Sequence, residues 1–314
     1  MVYVILSVGI LMLVMTLLYF IYLRVFHTPV EGQNDPFRFP SENPQYAPYK
    51  ESQMKGVQEL LDTEHEVVYI QSYDGLKLGA KIYRFSGSDD APLAVCFHGW
   101  HGMDIRDFRG GVAMLRKMGY NVLLASQRGH GISEGHTLTY GIKERQDVLS
   151  WTRYAVERFG EQVQIVLFGV SMGAATVLMA SELPLPEQVK GIMADSPYTS
   201  PKEIIKKVIK DMKLAPGPLY PLVAAASLVF GHVRLNSAQA VESVKHTDLP
   251  ILIMHGDDDR FVPCAMSEEI QKANPAIRRA VFPGAGHVLS CLKDETRYYA
   301  VAGDFLGEII QPRS

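Results

Sequence analysis

Ile165-Val166-Leu167-Phe168 runs directly into Gly169-Val170-Ser171-Met172-Gly173, which is followed by Ala174-Ala175-Thr176-Val177-Leu178. An apolar run of strand length, a glycine-flanked corner and a stretch of small residues read as strand, tight turn and helix. Such a corner lifts the Ser171 hydroxyl to where a base can reach it, with the helix N-terminus facing any oxyanion that develops. Glycine is needed at 169 and 173 because a Cβ at either position would clash in so sharp a turn. Gly-x-Ser-x-Gly alone arises by chance; the strand before it and the helix after it supply the required context.

A serine hydroxyl is a poor nucleophile until a base takes its proton, and that base needs an orienting acid. In a strand–turn–helix frame of this kind the partners follow in the order serine, acid, histidine. Pro250-Ile251-Leu252-Ile253-Met254 reads as a short buried strand opening onto His255-Gly256-Asp257-Asp258-Asp259-Arg260-Phe261-Val262-Pro263. Ala280-Val281-Phe282 then leads into Pro283-Gly284-Ala285-Gly286-His287, with a last helix expected from near Val288. An aspartate-bearing loop and a Gly-His loop thus stand in the required order.

With these pieces the chain resembles serine hydrolases of the α/β-hydrolase superfamily over residues 64–312, including membrane-anchored bacterial members and acyl-thioesterase and prolyl-oligopeptidase-like relatives. The matching segments are His98-Gly99-Trp100, Arg128-Gly129-His130-Gly131-x-Ser133, Gly169-x-Ser171-x-Gly173, Asp195-Ser196-Pro197, His255-Gly256-x-x-Asp259-x-x-Val262-Pro263 and Gly286-His287. The resemblance implies Ser171 as nucleophile, Asp259 as acid and His287 as base. It also implies an oxyanion hole from the backbone N–H groups of Met172 and Trp100. Asp195 stands as a second candidate acid, and Asp257 and Asp258 as solvated loop or turn carboxylates.

Other histidines have plainer readings. His98 and His101 lie three apart in a Gly-rich loop, yet no third ligand stands at helical spacing, so no metal is expected. His130 reads as structural, with Arg128 tying loops together, and His255 as orienting the acid loop. No Gly-x-Gly-x-x-Gly or Walker sequence occurs, so no cofactor is expected. A formal net charge of −3 without a concentrated basic patch argues against nucleic acid.

Val2–Leu23 carries no charge and is dominated by large apolar residues. As a helix it spans about 33 Å, enough for a bilayer core, and aromatic residues sit near both ends. With no basic n-region and no Ala-x-Ala site after it, an uncleaved single-pass anchor is expected over residues 1–27. Arg24 and Arg38 on the C-terminal flank favour a cytoplasmic catalytic domain. Prolines recur at 29, 36, 40, 44 and 48, which favours an extended spacer, with a short helix near Gln53–Leu61 closing a juxtamembrane segment of residues 28–62.

Residues 63–314 read as one hydrolase domain. A hairpin turns at Tyr73-Asp74-Gly75, and strands then alternate with helices from Leu93 to Ala194, which implies a mostly parallel sheet with helices on both faces. The alternation lapses between Asp195 and Pro250, where a helical lid over the site is expected, at about residues 197–246. Pro201–Met212 within it is amphipathic and lysine-rich, read as a lid helix with a solvated face or as a lipid-touching one. Leu219–Phe230 is too short to span a membrane and is expected to line a hydrophobic pocket or to pack as core. Of the three cysteines, Cys96 falls in a strand, whereas pairing of Cys264 with Cys291 is left open.

The function expected is cleavage of a small-molecule carboxylic ester through an acyl-enzyme. Thioester cleavage and peptide or amide cleavage are the enzymatic alternatives, and a catalytically inactive membrane-anchored binding scaffold is the non-enzymatic one.

Overall fold

The computed structural model describes residues 1–28, 35–39 and 43–310. The remainder of the proline-rich segment, residues 29–34 and 40–42, lies outside the described residues, as do residues 311–314. Helix α1 (Val2–Val25) is followed, after a 3-10 turn at Ala47–Tyr49, by α2 (Lys50–Asp62). The hairpin β1 (Glu66–Gln71) and β2 (Lys77–Tyr83) precedes β3 (Leu93–Phe97), α3 (Asp104–Lys117), β4 (Asn121–Ala125) and α4 (Glu144–Phe159). Next come β5 (Ile165–Val170), α5 (Met172–Ala180) and β6 (Val189–Asp195). The insertion comprises α6 (Pro201–Asp211), α7 (Pro216–Phe230) and α8 (Ala240–Ser243). The chain then continues through β7 (Ile251–Gly256), α9 (Cys264–Ala273), β8 (Arg278–Phe282), α10 (Ser290–Lys293) and α11 (Glu295–Ile309).

The strands form one eight-stranded sheet in the order β1-β2-β4-β3-β5-β6-β7-β8. β1–β2 and β2–β4 are antiparallel, and the remaining pairs are parallel. The expected α/β-hydrolase arrangement is therefore present: a mostly parallel sheet flanked by helices. Period-2 side-chain alternation builds two cores. Leu93, Val95 and Phe97 of β3 face the core that includes α4, α5 and the insertion, while Ala94 and Cys96 face the one beneath α2, α3 and α11. Phe97 pairs with Gly169, Gly169 with Ala194, Ala194 with Ile253, and Gly256 with Phe282. The C-terminal strand ends are thus nearly level, and the loops that follow them meet along one edge, where such sheets bind ligands.

Helix α1 is long and apolar enough to cross a membrane, and most of it is exposed. Its C-terminal end is built into the domain. The Tyr19 and Tyr22 rings lie 5.3 and 5.9 Å from Phe230 of α7, and Phe26, 1% exposed, packs edge-on against Tyr140 at 5.8 Å. The Tyr22 hydroxyl lies 2.6 Å from Thr137 Oγ1, and His27 forms a β-bridge with Thr137.

Two parts of the chain sit differently from the expectation. The proline-rich stretch, where described, does not hold the domain at a distance: Gln45 and Tyr46 bond to the loops that carry Asp258 and His287. Proline breaks helices, but it also lets an extended segment follow a surface closely, and composition cannot separate the two outcomes. The helical insertion is present, but the cleft around Ser171 takes no wall from it. Val223 and Ala226 of α7 are buried in the core instead. Among the described residues, two of the four lysines of α6 donate hydrogen bonds, Lys207 to Asp211 and the Arg260 carbonyl, and Lys206 to Glu203.

Candidate active site

Ser171 stands between β5 and α5 at φ 55°, ψ −117°, a conformation costly for a residue bearing a Cβ. The packing around it explains both flanking glycines. A Cβ on Gly173 would overlap the Phe97 carbonyl, and one on Gly169 would overlap the Gly173 carbonyl. The turn therefore sits as close to β3 as backbone atoms allow, which brings Ser171 beside the loop that follows Phe97.

The Ser171 Oγ lies 2.8 Å from His287 Nε2, and His287 Nδ1 lies 2.7 Å from Asp259 Oδ2. Asp259 is buried and fully hydrogen-bonded. Its Oδ1 accepts from the Phe261 and Val262 amides at 2.9 and 2.8 Å, and its Oδ2 also accepts from His255 Nε2 at 3.2 Å. Burial alone would raise the Asp259 carboxyl. The charge on His287 and the hydrogen bonds from His255 and His287 overcome that penalty and hold it well below the usual carboxylate range. His255 Nε2 also faces the Val262 carbonyl at 3.0 Å; a carbonyl can only accept, so this nitrogen carries the proton.

The three consecutive aspartates have separate partners. Asp257 Oδ1 accepts from the Gly284 amide at 2.6 Å, and Asp258 pairs with Arg260 and accepts from Gln45 Nε2 at 2.9 Å. Asp195, the second candidate acid, is buried, accepts from Tyr298 Oη at 2.9 Å and makes no hydrogen bond to His287 among the described residues. Burial pushes its carboxyl up, away from the ionised form an orienting acid needs.

The loop after β3 is braced from two sides. His98 is fully buried: its Nε2 accepts from the Gln127 amide at 3.0 Å and its Nδ1 lies 2.9 Å from the Gly99 carbonyl. With both ring nitrogens committed to backbone, His98 is a strut. The Gly99 amide donates to Asp107 Oδ2 at 3.0 Å, which turns the following residue, Trp100, toward the cleft. Met172 is the first residue of α5, where a helical ladder provides no acceptor for the amide.

Arg128 binds Asp147 through two 2.6 Å contacts and Asp74 at 2.9 and 3.1 Å, so it joins the hairpin turn to α4. Cys96, Cys264 and Cys291 are free thiols. Several residues that sequence reasoning missed stand at the site. Tyr46 Oη donates to the His287 carbonyl at 2.9 Å, and Gln45 reaches the acid loop. Arg106, Arg109 and Gln53 line the cleft. None belongs to a local motif, since the Gln45 and Tyr46 contacts span 213 and 241 residues of sequence.

Comparison with known proteins bears on the fold that carries these residues. A family model described as alpha/beta hydrolase fold matches residues 92–217, and one described as dienelactone hydrolase family matches residues 211–304. An uncharacterised protein of Bacillus subtilis is 24% identical over 191 residues, which is 60% of this chain and 63% of that protein, under two thirds of its length. A protein of Acinetobacter calcoaceticus named a bifunctional esterase/perhydrolase is 23% identical over 277 residues, covering 73% of this chain and 95% of the relative. Among solved structures, an esterase of Pyrococcus furiosus superposes with a TM-score of 0.67 at 24% identity, covering 81% of this chain and 94% of its own.

Proposed function

The chain belongs to the α/β-hydrolase superfamily, and on that premise we propose that it is a serine hydrolase of carboxylic esters held at a membrane by α1. The observation that carries the reading is the continuous hydrogen-bonded line from Ser171 through His287 to an ionised, buried Asp259.

In this reading His287 Nε2 takes the proton of Ser171 Oγ as that oxygen attacks the ester carbonyl carbon. The Met172 and Trp100 amides stabilise the tetrahedral oxyanion. His287 then gives the proton to the departing alkoxide, which leaves as alcohol. A water, deprotonated by the same nitrogen, attacks the acyl-enzyme and releases the carboxylic acid. Asp259 holds the imidazole in the tautomer with Nδ1–H and balances its charge when Nε2 is protonated.

A fluorophosphonate probe tests the reading, with the adduct located by mass spectrometry. An adduct on Ser171 that is absent from Ser171→Ala and suppressed in His287→Ala, together with hydrolysis of short 4-nitrophenyl esters, is the expected result. A folded protein that forms no adduct and hydrolyses no ester contradicts it and leaves the binding-scaffold alternative.

A further inference from the structure

The cleft that Ser171 opens into has a volume of about 620 Å³, and one of its walls is unusually cationic. Arg38, Arg106 and Arg109 all line it, in a chain whose formal net charge is −3. The only carboxylate lining the cleft among the described residues is Asp107, and it is committed. Asp107 Oδ2 accepts from the Gly99 amide, and Oδ1 accepts from Arg106 Nε at 3.1 Å. Arg106 is committed as well: beyond Asp107, it donates to the carbonyls of Arg38 and His101 at 3.0 and 2.9 Å.

Arg109 is different. Its Nη1 donates to the Arg106 carbonyl and its guanidinium carbon lies 5.3 Å from the centre of the Phe39 ring. Among the described residues no carboxylate forms an ion pair with it, and its Nε is buried without a hydrogen-bond partner. Burial brings its guanidinium down to about 10, against the pull of Asp107. Gln53, on α2 and 1% exposed, lines the same cleft, and its Nε2 is a second buried donor with no acceptor. A buried guanidinium N–H on a partly buried cation and a buried amide donor, both left unsatisfied, each cost free energy that an anionic acceptor would restore. A guanidinium edge and an amide N–H that line one cleft suit the oxygens of a carboxylate or phosphate.

We infer that Arg109 and Gln53 form an oxyanion-binding subsite of the hydrolytic cleft, so that the preferred substrates are esters carrying a second, anionic group. This inference rests on the serine-hydrolase reading and narrows it: the enzyme cleaves half-esters or phosphate-bearing esters in preference to neutral ones of the same size. The charge sits either on the acyl chain or on the leaving group, and the chemistry that binds it is the same.

Three esters of matched length test it: 4-nitrophenyl butyrate, neutral; 4-nitrophenyl hemiglutarate, with the charge on the acyl side; and 4-butyryloxybenzoate, with the charge on the leaving group. The expected result is a kcat/KM at least about tenfold higher for one of the anionic esters than for the butyrate, chiefly through KM, and which one is faster identifies the side that carries the charge. Arg109→Gln should bring that ratio to within about threefold of unity, Gln53→Leu should lower it by about three- to tenfold, and Arg109→Lys should retain part of it. Gln53→Leu keeps the side-chain volume and serves as the second variant should Arg109→Gln fold poorly. Neutral ester turned over as well as both anionic ones, or a preference untouched by either substitution, would overturn the inference while leaving an adduct on Ser171 and the hydrolase reading intact. Conversely, the fluorescence of Trp100 at the cleft, titrated with glutarate and with inorganic phosphate, reports the subsite without turnover. A saturable change in the Ser171→Ala protein that disappears in Arg109→Gln supports the subsite even if no ester is cleaved, and no change with either anion counts against it.

Discussion

The Tyr46 hydroxyl holds the carbonyl of His287 at 2.9 Å, so a residue upstream of the sheet fixes the loop that carries the imidazole. His287 itself meets Ser171 at 2.8 Å and Asp259 at 2.7 Å, and small rotations of its loop change both contacts together. Tyr46→Phe removes the tether and little volume. It should lower kcat for a 4-nitrophenyl ester by about three- to tenfold, with about 1 kcal/mol lost from stability. Steady-state kinetics alongside thermal melting measures both. An unchanged kcat would mean that the loop holds its shape without Tyr46.

The two candidate acids should separate cleanly by substitution. Asp259→Asn leaves the size of the side chain but removes the charge that orients His287, so kcat should fall by about 10³- to 10⁴-fold with the protein still folded. Asp195→Asn touches a buried carboxyl already pushed up by its surroundings and bonded to Tyr298 and Ser196, so it should cost about 1–3 kcal/mol of stability while keeping kcat within about tenfold. Initial rates and urea melts on the pair read out the contrast. The reverse ranking of rates would move the acid to Asp195.

Glycine substitutions should show where the backbone is crowded. At Gly173 a Cβ has no space against Phe97, so Gly173→Ala should lose about 3 kcal/mol or fail to fold. At Gly307, on the exposed face of α11, nothing lies within 4 Å of the added carbon, and Gly307→Ala should gain about 0.5–1 kcal/mol. Chemical denaturation of both proteins tests the prediction, and a mild Gly173→Ala would refute the close approach of turn and strand.

Acid should weaken the fold through buried histidines that resist protonation, partly offset by Asp147, whose carboxyl burial raises to about 6 and which therefore adds stability as pH falls. Burial, reinforced by neighbouring His98, holds the His130 imidazole down at about 3, and His98 is lowered as well. The charged groups near this pair are Asp104, Asp107 and Arg106, and the two carboxylates only partly offset burial. An unfolded histidine titrates near about 6.5, so as pH falls below that value the unfolded chain binds protons that the folded chain refuses. Stability is therefore retained above about pH 6.5 and declines toward pH 3, by about 2–3 kcal/mol for His130 alone at pH 4.5. Asp259, whose carboxyl is depressed, adds a loss of the same sign only below about pH 4, as the unfolded aspartate begins to take up protons. Melting temperatures from pH 7.5 to 4.5 should fall steadily, and His130→Asn should flatten part of the slope. A flat wild-type profile over that range would contradict the burial of a neutral pair.

What was legible beforehand follows from how local each signal is. The corner at Ser171 is written into five consecutive residues, because both glycines answer steric needs within one turn and against one neighbouring strand. The strands from Leu93 to Asp195 were readable because each is almost wholly buried and therefore carries an apolar run of four or more residues, broken only near strand ends by Asn121, Lys190 and Asp195. Asp257, Asp258 and Asp259 look alike in sequence; family resemblance singled out one, and only three-dimensional partners distinguish them. The wall supplied by Arg38, Phe39, Tyr46 and Gln53 left no trace, since Gln45 and Tyr46 act through contacts with loops far along the chain and none of these residues shows a periodicity of its own. The insertion misled for a related reason. Its apolar helix α7 demanded cover, and sequence pattern does not say that α1 shares that cover with the core.

That shared cover has a mechanical consequence. Tyr22 and Phe26 are gripped by Phe230 and Tyr140, and the Tyr140 hydroxyl donates to the Val25 carbonyl at 3.1 Å, so α1 stands on the body like a mast stepped into a hull. These contacts fix the direction in which α1 leaves the body. Whatever layer takes up the exposed length of α1 meets the mouth of the Ser171 cleft at one height and one tilt, and a bulky change at Phe230 would alter the pose of the whole molecule without touching a single reacting atom.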